Sequence, residues 1–415
     1  MKKHNYKMIR KLNEVKILNL LRHDGPISRS EMAKRTNISK VTISEIVKRL
    51  DKDGYTLHAG KGKSTCKGGK RPTLIKLNPD KGYVIGIEIK KSRVNIAVAN
   101  IESEIIDECG FNYSDKDSME NVIDKIFNCI DNELEKLSIC HDKLISIGIG
   151  VPGFVDYEQG VLSYSHKGWD NKPFATLFSE KYNIPVLIEN DANMVAIGED
   201  LLGAGKNESH FICITLEAGI GAGIIMDNHL IRGATGMTGE IGYLELGNSL
   251  SNPEKYKHLY NNQNHYSDIL SENHLFKVIK SALKKEDPDN AESYDNYSII
   301  DFLKMADEGD PLVLEILDEY GEIIANLCTE LIKSLNPNLM VLSGEVVENS
   351  PYLFNKIQKC AKRIMHNIPF DARSIVVGEL GNDTACLEGA ITLALQVVFK
   401  PFVKHQRLKQ IHVKS

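Results

Sequence analysis

The spacing of apolar residues changes twice along the chain and divides it into regions. Over residues 13–22, Val15, Leu18 and Leu21 recur at helical intervals, and Gly25-Pro26 ends that run. Ser28-Arg29-Ser30-Glu31 has the form of a capping box, in which a hydroxyl and a carboxylate satisfy the orphan amides opening a helix. That second helix runs to about Thr36 and buries Met32 and Ala33; Asn37-Ile38 makes the turn. A third helix, about 39–51, carries Ile43, Ile46, Val47 and Leu50 on one packing face. Its leading end and opposite face hold Ser39, Lys40, Thr42, Ser44, Glu45, Lys48 and Arg49, side chains suited to base edges and flanking phosphates.

The period then shortens. Thr56-Leu57-His58 and residues 73–77 are extended and flank a loop with Lys61, Lys63, Lys67, Lys70 and Arg71 among glycines. Helix, turn, helix and basic hairpin together predict a winged helix-turn-helix, with a wing slim enough at Gly68-Gly69-Lys70-Arg71 to approach a duplex closely. The plainer alternative is a three-helix domain with a basic loop. Arg29, Ser39, Lys40, Thr42, Ser44, Glu45, Lys48, Lys70 and Arg71 are the expected DNA contacts.

Residues 78–82 read as a linker. Strands follow at 83–89, 94–99 and 105–111, then a helix over 118–137 and strands at 144–151 and 185–188. Glycine-bearing strands are expected at 211–216 and 222–226. Alternating helix and strand to the end predict a mixed α/β domain pair.

Charge sharpens this division. The 415-residue chain has a net charge of −5. Its first 80 residues hold 20 Lys and Arg against 7 Asp and Glu, so they carry +13 and the remainder −18. A basic block of domain size on an acidic chain is the footprint of a polyanion binder. No apolar run approaches the roughly 20 residues of a membrane span, and no signal core follows the N-terminus. The eight cysteines are scattered without a C-x-x-C pair, which favours buried reduced thiols and a cytoplasmic location.

Three ordered motifs carry a resemblance. Gly148-Ile149-Gly150-Val151-Pro152-Gly153, then Glu189-Asn190-Asp191-Ala192-Asn193, then Gly239-Glu240-Ile241-Gly242 after Arg232-Gly233-Ala234 resemble the ROK family of repressors, open reading frames and kinases. Asn336-Pro337, Leu342-Ser343-Gly344-Glu345 and Leu380-Gly381-Asn382-Asp383 resemble its C-terminal markers. The match spans 83–398. With the winged helix, the chain most resembles the repressor branch, which includes xylose repressors.

The resemblance implies an actin-like (ribonuclease H-like), two-lobed ATPase fold of α/β class behind the winged helix. The expected domains are a head at 1–80, a small lobe at 81–190 with a terminal helix about 384–399, and a large lobe at 191–383. It implies that Asp191 occupies the general-base position of the family's kinases. Asn190 and Glu240 would hold sugar hydroxyls, and the Gly153 turn would border the sugar. Asp191 also precedes a helical run, which makes it a candidate N-cap. Trp169, the only tryptophan, either stacks on a sugar face or packs internally. Ala325, Leu327, Leu331 and Ile332 lie on a long helix that serves either dimer contacts or the core.

Three departures separate the chain from the family's enzymes. Where the kinases carry D-x-G-G-T-K, it has Glu88-Ile89-Lys90-Lys91-Ser92-Arg93, and long side chains stand where glycine amides would close on phosphate. Where they carry G-T-G-x-G-G-G, it has Glu217-Ala218-Gly219-Ile220-Gly221-Ala222-Gly223, setting a carboxylate against a triphosphate. Lys90 and Lys91 offer compensating charge at the first loop. Tyr243 replaces the histidine closing the family's zinc-site motif, and no cysteine lies between Cys213 and Cys328. His258, His265 and His274 match no ligand spacing. No metal, cofactor or catalysis is therefore expected, and Tyr243 is expected to take over the sugar contact. Residues 248–264 are expected to form a surface loop.

The sum is a regulator, expected to be a repressor of carbohydrate-utilisation genes. It would bind double-stranded operator DNA and a small neutral sugar, xylose or a hexose, as a homodimer or homotetramer, with no membrane partner. The alternatives are an active sugar kinase carrying a DNA-binding domain, and a DNA-binding protein with a vestigial cleft.

Overall fold

The computed structural model describes residues 2–62, 71–114, 116–165, 168–246, 255–259, 265–368, 371 and 374–400. The head begins with α1 (Lys2–Asp24), longer than its apolar stripe predicts. Val15, Ile17, Leu18 and Leu21 are buried, whereas Met8, Ile9 and Leu12 stay exposed on turns that pack on nothing described. The lysine-rich start has no breaker before Gly25, so the helix continues beyond the part the core requires.

Next come β1 (Ile27–Ser28), α2 (Arg29–Thr36), α3 (Lys40–Lys52), β2 (Thr56–Lys61) and β3 (Thr73–Leu77), with the strands ordered β1-β3-β2. Ser28 caps α2 by accepting the Glu31 N–H at 3.2 Å. Glu31 itself turns to Arg35 at 3.0 Å, so the expected capping box is half formed. Ile43, Ile46, Val47 and Leu50 of α3 are buried, which sets the opposite face outward. Residues 63–70, including Lys70, lie outside the described residues.

The first large sheet is built from β4 (Tyr83–Ile89), β5 (Arg93–Asn100) and β6 (Ile105–Asn112), then, after α4 (Met119–Lys136), β7 (Leu144–Val151). Short strands β8 (Phe154–Asp156) and β9 (Val161–Tyr164), helix α5 (Phe174–Tyr182) and β10 (Val186–Asn190) complete this stretch. The sheet order is β10-β7-β4-β5-β6, with β4 antiparallel to β5 and parallel to β7. The central strands are almost wholly buried because both faces are covered, while edge strand β6 alternates in burial.

The second stretch runs α6 (Asp191–Leu201), β11 (Phe211–Leu216), β12 (Ile220–Met226), β13 (His229–Leu230), α7 (Tyr266–Leu270), α8 (Glu272–Glu286), α9 (Ile299–Asp307) and α10 (Pro311–Leu335). It ends with β14 (Leu339–Ser343), α11 (Glu345–Glu348), α12 (Pro351–Ile364), β15 (Ile375–Val377) and α13 (Asn382–Phe399). Its sheet is ordered β13-β12-β11-β14-β15. Each sheet thus has a meander of three strands and two further strands added beside the first. This repeated topology is the two-lobed, actin-like arrangement.

On α10, Ala325, Leu327, Leu331 and Ile332 are buried within the chain's own core, so packing accounts for all four. Trp169 is also buried, stacked on Tyr113 with ring centroids 6.1 Å apart and tilted against Phe174. It packs internally. Among the described residues no disulfide forms. Cys213, Cys328, Cys360 and Cys386 are buried as expected, but Cys140 is exposed. No described helix is long and apolar enough to cross a membrane.

The chain forms two compact units. One holds the head, residues through 151, residues 156–189 and the chain from 390 on; the other holds 152–155 and 190–389. Helix α13 belongs to both. Within the first unit, Asn19 Nδ2 donates to the Phe399 carbonyl at 2.8 Å. The Arg22 guanidinium lies 4.8 Å from the centre of the Phe399 ring and donates to the Ser103 hydroxyl. The head is therefore fastened to the end of α13.

Candidate effector site and DNA-facing surface

Of the nine expected DNA contacts, Arg29, Ser39, Lys40, Ser44, Glu45, Lys48 and Arg71 are exposed and Thr42 is half-buried. Lys40, Ser44, Glu45 and Lys48 share the outward face of α3. Several hydroxyls already serve the helix. Ser39 Oγ accepts the Thr42 N–H at 3.1 Å and meets Thr42 Oγ1 at 2.9 Å, while Ser44 Oγ donates to the Lys40 carbonyl at 2.8 Å. Arg49, on the same helix, leans 3.9 Å from Glu14 and away from this face.

The second unit gathers four of the five expected sugar contacts at the start of α6. Asn190, not Asp191, is the N-cap: its Oδ1 accepts the Asn193 N–H at 3.2 Å. Its Nδ2 donates to the Gly153 carbonyl at 3.0 Å, tying the 152–155 turn to the helix. Gly153 has φ 122°, a conformation that side chains other than glycine's rarely permit. Asp191 is the first helical residue; its carboxylate accepts the Ala192 N–H at 2.9 Å and lies in the positive field of the helix N-terminus.

Glu240 is delivered by a turn that only glycine fits. Gly239 has φ 94° and sits directly on the Ala222 carbonyl of β12, leaving no room for a Cβ. Its own carbonyl accepts the Ala222 N–H at 2.8 Å. Burial first, and the negative charge of Asp191 second, push the Glu240 carboxyl up to about 7. Two carboxyls are thus held within each other's field, an arrangement that clusters at functional sites. Tyr243, the fifth residue, donates its N–H to the Glu240 carbonyl at 3.2 Å. It is 46 % exposed and its ring meets Phe154 edge-on at 5.8 Å, so it walls the site rather than filling it.

Two residues escaped the pattern of the sequence. Phe154 joins the site through Tyr243, and nothing in its spacing marks it. Glu199, on α6, is fully buried and accepts N–H bonds from Ala204 at 2.7 Å, Glu379 at 3.3 Å and Leu380 at 3.1 Å. It thereby ties α6 to the segment entering α13, but a glutamate in a helix reads as a surface residue.

The two loops that depart from the kinase patterns make hydrogen bonds of their own. In the first unit Glu88 is buried, accepts from Asn95 Nδ2 at 2.7 Å and pairs with Lys90 Nζ at 3.8 Å. Lys90, the first of the two lysines in this loop, thus stands beside a buried carboxylate. Its N–H goes to the Arg93 carbonyl at 2.8 Å, and its carbonyl accepts the Tyr113 hydroxyl. In the second unit the Glu217 N–H is bonded to the Gly219 carbonyl at 3.1 Å, and the Glu217 carbonyl accepts the Glu272 N–H at 2.9 Å. The Gly344 N–H and the Ser343 hydroxyl both go to Glu348, at 2.9 and 3.1 Å.

The histidines are dispersed. His258 lies 3.4 Å from Glu315, His265 caps α7, and His274 meets the Leu259 carbonyl at 3.1 Å. Among the described residues no three His, Cys, Asp or Glu side chains gather as metal ligands. Most of the 248–264 segment lies outside the described residues.

Comparison with known proteins agrees with both halves. Residues 84–397 match the ROK family, and residues 11–55 match a winged helix-turn-helix DNA-binding family. A xylose repressor from Caldicellulosiruptor bescii is 29 % identical over 399 residues, covering 94 % of this chain and 97 % of that protein. The crystal structure of a ROK family transcriptional regulator, a homologue of the E. coli MLC protein, superposes with a TM-score of 0.79 at 19 % identity, covering 95 % of this chain and 98 % of the other. A ROK family glucokinase from Streptomyces griseus, in complex with glucose and AMPPNP, gives a TM-score of 0.63 at 25 % identity; it covers 76 % of this chain and the whole of the kinase.

Proposed function

The chain belongs to the ROK family, and from that premise we propose that it is a sugar-responsive, DNA-binding transcriptional repressor without kinase activity. One contrast carries the reading: polar residues suited to a sugar are assembled around α6, while the first phosphate-type loop buries Glu88 on Asn95 and Lys90 and the second sets Glu217 where the kinases carry glycine. The winged helix with its outward basic face supplies the DNA-binding half. A xylose repressor alignable over almost the whole chain supports a gene of carbohydrate use as the target, and xylose or a hexose as effector.

The site residues are Gly153, Asn190, Asp191, Glu240 and Tyr243, with Asp191 at the vestigial base position. Arg29, Lys40, Glu45, Lys48, Lys70 and Arg71, with the Ser39, Thr42 and Ser44 hydroxyls, meet the duplex. The protein acts in the cytoplasm as a homodimer or homotetramer on a two-fold operator, one head per half-site. Domain limits of 1–80, 81–190 with 384–399, and 191–383 fit this division of labour.

Helix α13 offers the route between the two activities. At its start the Ala385 backbone packs on Gly198, and Gly389 on the Met194 backbone, both of α6. At its end Phe399 holds Asn19 and Arg22 of the head. A sugar that favours one position of α6 over another biases α13, and through it the head. About 1–3 kcal/mol of such differential binding is a typical coupling.

The test is duplex binding by fluorescence anisotropy at fixed salt, with and without each of a panel of pentoses and hexoses, beside a coupled assay for ATP-dependent sugar phosphorylation. The expected result is sugar-dependent release of DNA and no turnover. Retention of Asp191 favours one rival, an active kinase with a DNA-binding head; turnover at ordinary kinase rates would establish it.

A further inference from the structure

We propose that Val41 is a base-reading residue, whose isopropyl group meets the 5-methyl group of a thymine in the major groove. The inference rests on the DNA-binding reading and adds a specificity to it. Val41 is 71 % exposed, the most exposed large hydrophobic side chain among the described residues. It is the second residue of α3, and the Ser39 cap fixes the turn that carries it. With Ile43, Ile46, Val47 and Leu50 buried, Val41 stands on the outward face beside Lys40, Ser44, Glu45 and Lys48.

The fold has no use for valine there. A β-branched residue is a poor helix former, and its methyl groups gain nothing from water. The neighbouring lysines identify the occupant of this face as a polyanion rather than an apolar protein surface. Residues at the start of the second helix of a helix-turn-helix are the ones that reach base edges. On those edges the major groove presents one exposed methyl group, that of thymine. Val41 and that methyl are complementary, whereas Ser44, whose hydroxyl proton goes to the Lys40 carbonyl, has only its acceptor side to offer the duplex.

The experiment uses the full-length protein. Duplexes enriched from a random pool are resynthesised with each thymine replaced singly by deoxyuridine, which removes the methyl and keeps every hydrogen-bonding group. Affinities are measured by anisotropy at one salt concentration for wild type, Val41→Ala and Val41→Thr. At one thymine per half-site, uridine should cost wild type about fourfold, the worth of one buried carbon. Val41→Ala should bind the thymine and uridine duplexes alike, and Val41→Thr should keep part of the discrimination. Equal uridine penalties in wild type and Val41→Ala at every position, or no penalty anywhere, would overturn the proposal while leaving DNA binding intact. If no duplex is enriched, the DNA-binding reading fails and the proposal fails with it.

Discussion

Two carboxylates withdrawn wholly or partly from water, Glu88 and Glu240, occupy corresponding kinds of place, each near a loop whose counterpart in kinases handles substrate. Glu88 is surrounded by its own donors, Asn95 and Lys90. Glu240 is partly buried and set against a second carboxylate, Asp191; burial first and that charge second raise its affinity for a proton. The first arrangement stabilises the fold and leaves little for a ligand to add. The second costs stability in the free protein and is relieved by something that supplies hydroxyl donors. A buried carboxylate met by its own donors is self-satisfied; one set against another carboxylate stays strained electrostatically.

The comparison breaks most visibly if Glu240 is dispensable. Glu240→Ala should lower sugar affinity by about 30- to 100-fold, the worth of hydrogen bonds to an ionised acceptor. Duplex affinity without sugar should be unchanged. Calorimetric titration of the responsive sugar checks the first expectation and anisotropy the second. A second strong effect belongs to the head. Replacing both Lys40 and Lys48 by alanine should flatten the dependence of log affinity on log salt by about 0.9 for each phosphate no longer neutralised. A salt series with one duplex measures it, and an unchanged slope would remove these lysines from the interface.

Glu88 should behave in the opposite way to Glu240. Asn95→Ala deletes the shorter of its two described interactions and should cost about 1–3 kcal/mol of stability. Urea denaturation reads that loss, while sugar affinity should stay within about twofold of wild type, because Asn95 is none of the proposed sugar contacts. If Asn95→Ala left stability unchanged, the account of Glu88 as a self-satisfied carboxylate would be wrong.

Much of the fold is legible in the residue pattern. The buried stripe of α3 and the limits of β4, β7 and β11 follow from periodicity alone, because each element packs on a continuous core. Gly153, Asn190, Asp191 and Glu240 stand in motifs whose order is informative, and the structure brings the first three to one turn with Glu240 in the field of Asp191. What periodicity cannot supply is the tertiary partner. It places the start of α1 at the first packed residue rather than the first helical one. It reads Asp191 as the cap, whereas Asn190 both caps α6 and anchors Gly153. It leaves Trp169 undecided until Tyr113 and Phe174 are beside it, and it passes over Glu199, two of whose partners lie 180 and 181 residues away.

The smallest effect is the most discriminating, because its sign depends on why Glu240 is perturbed. Its folded value is near 7, above the ordinary glutamate value of 4.5, so the native protein holds more protons than the unfolded chain between those limits. Stability therefore falls as pH rises through that window. Glu240→Gln, neutral throughout, should melt at a higher temperature than wild type at pH 8, and the gap should close towards pH 4.5. Sugar should reverse the trend. Hydroxyls that donate to an ionised Glu240 lower its proton affinity, so sugar affinity should climb as pH passes about 7, and Glu240→Gln should abolish the climb. Calorimetry from pH 5.5 to 8.5 tests both signs. An affinity that falls over the same interval would mean that the protonated carboxyl donates to the sugar, and Glu240 would then be a donor held neutral by burial and by Asp191 rather than an acceptor.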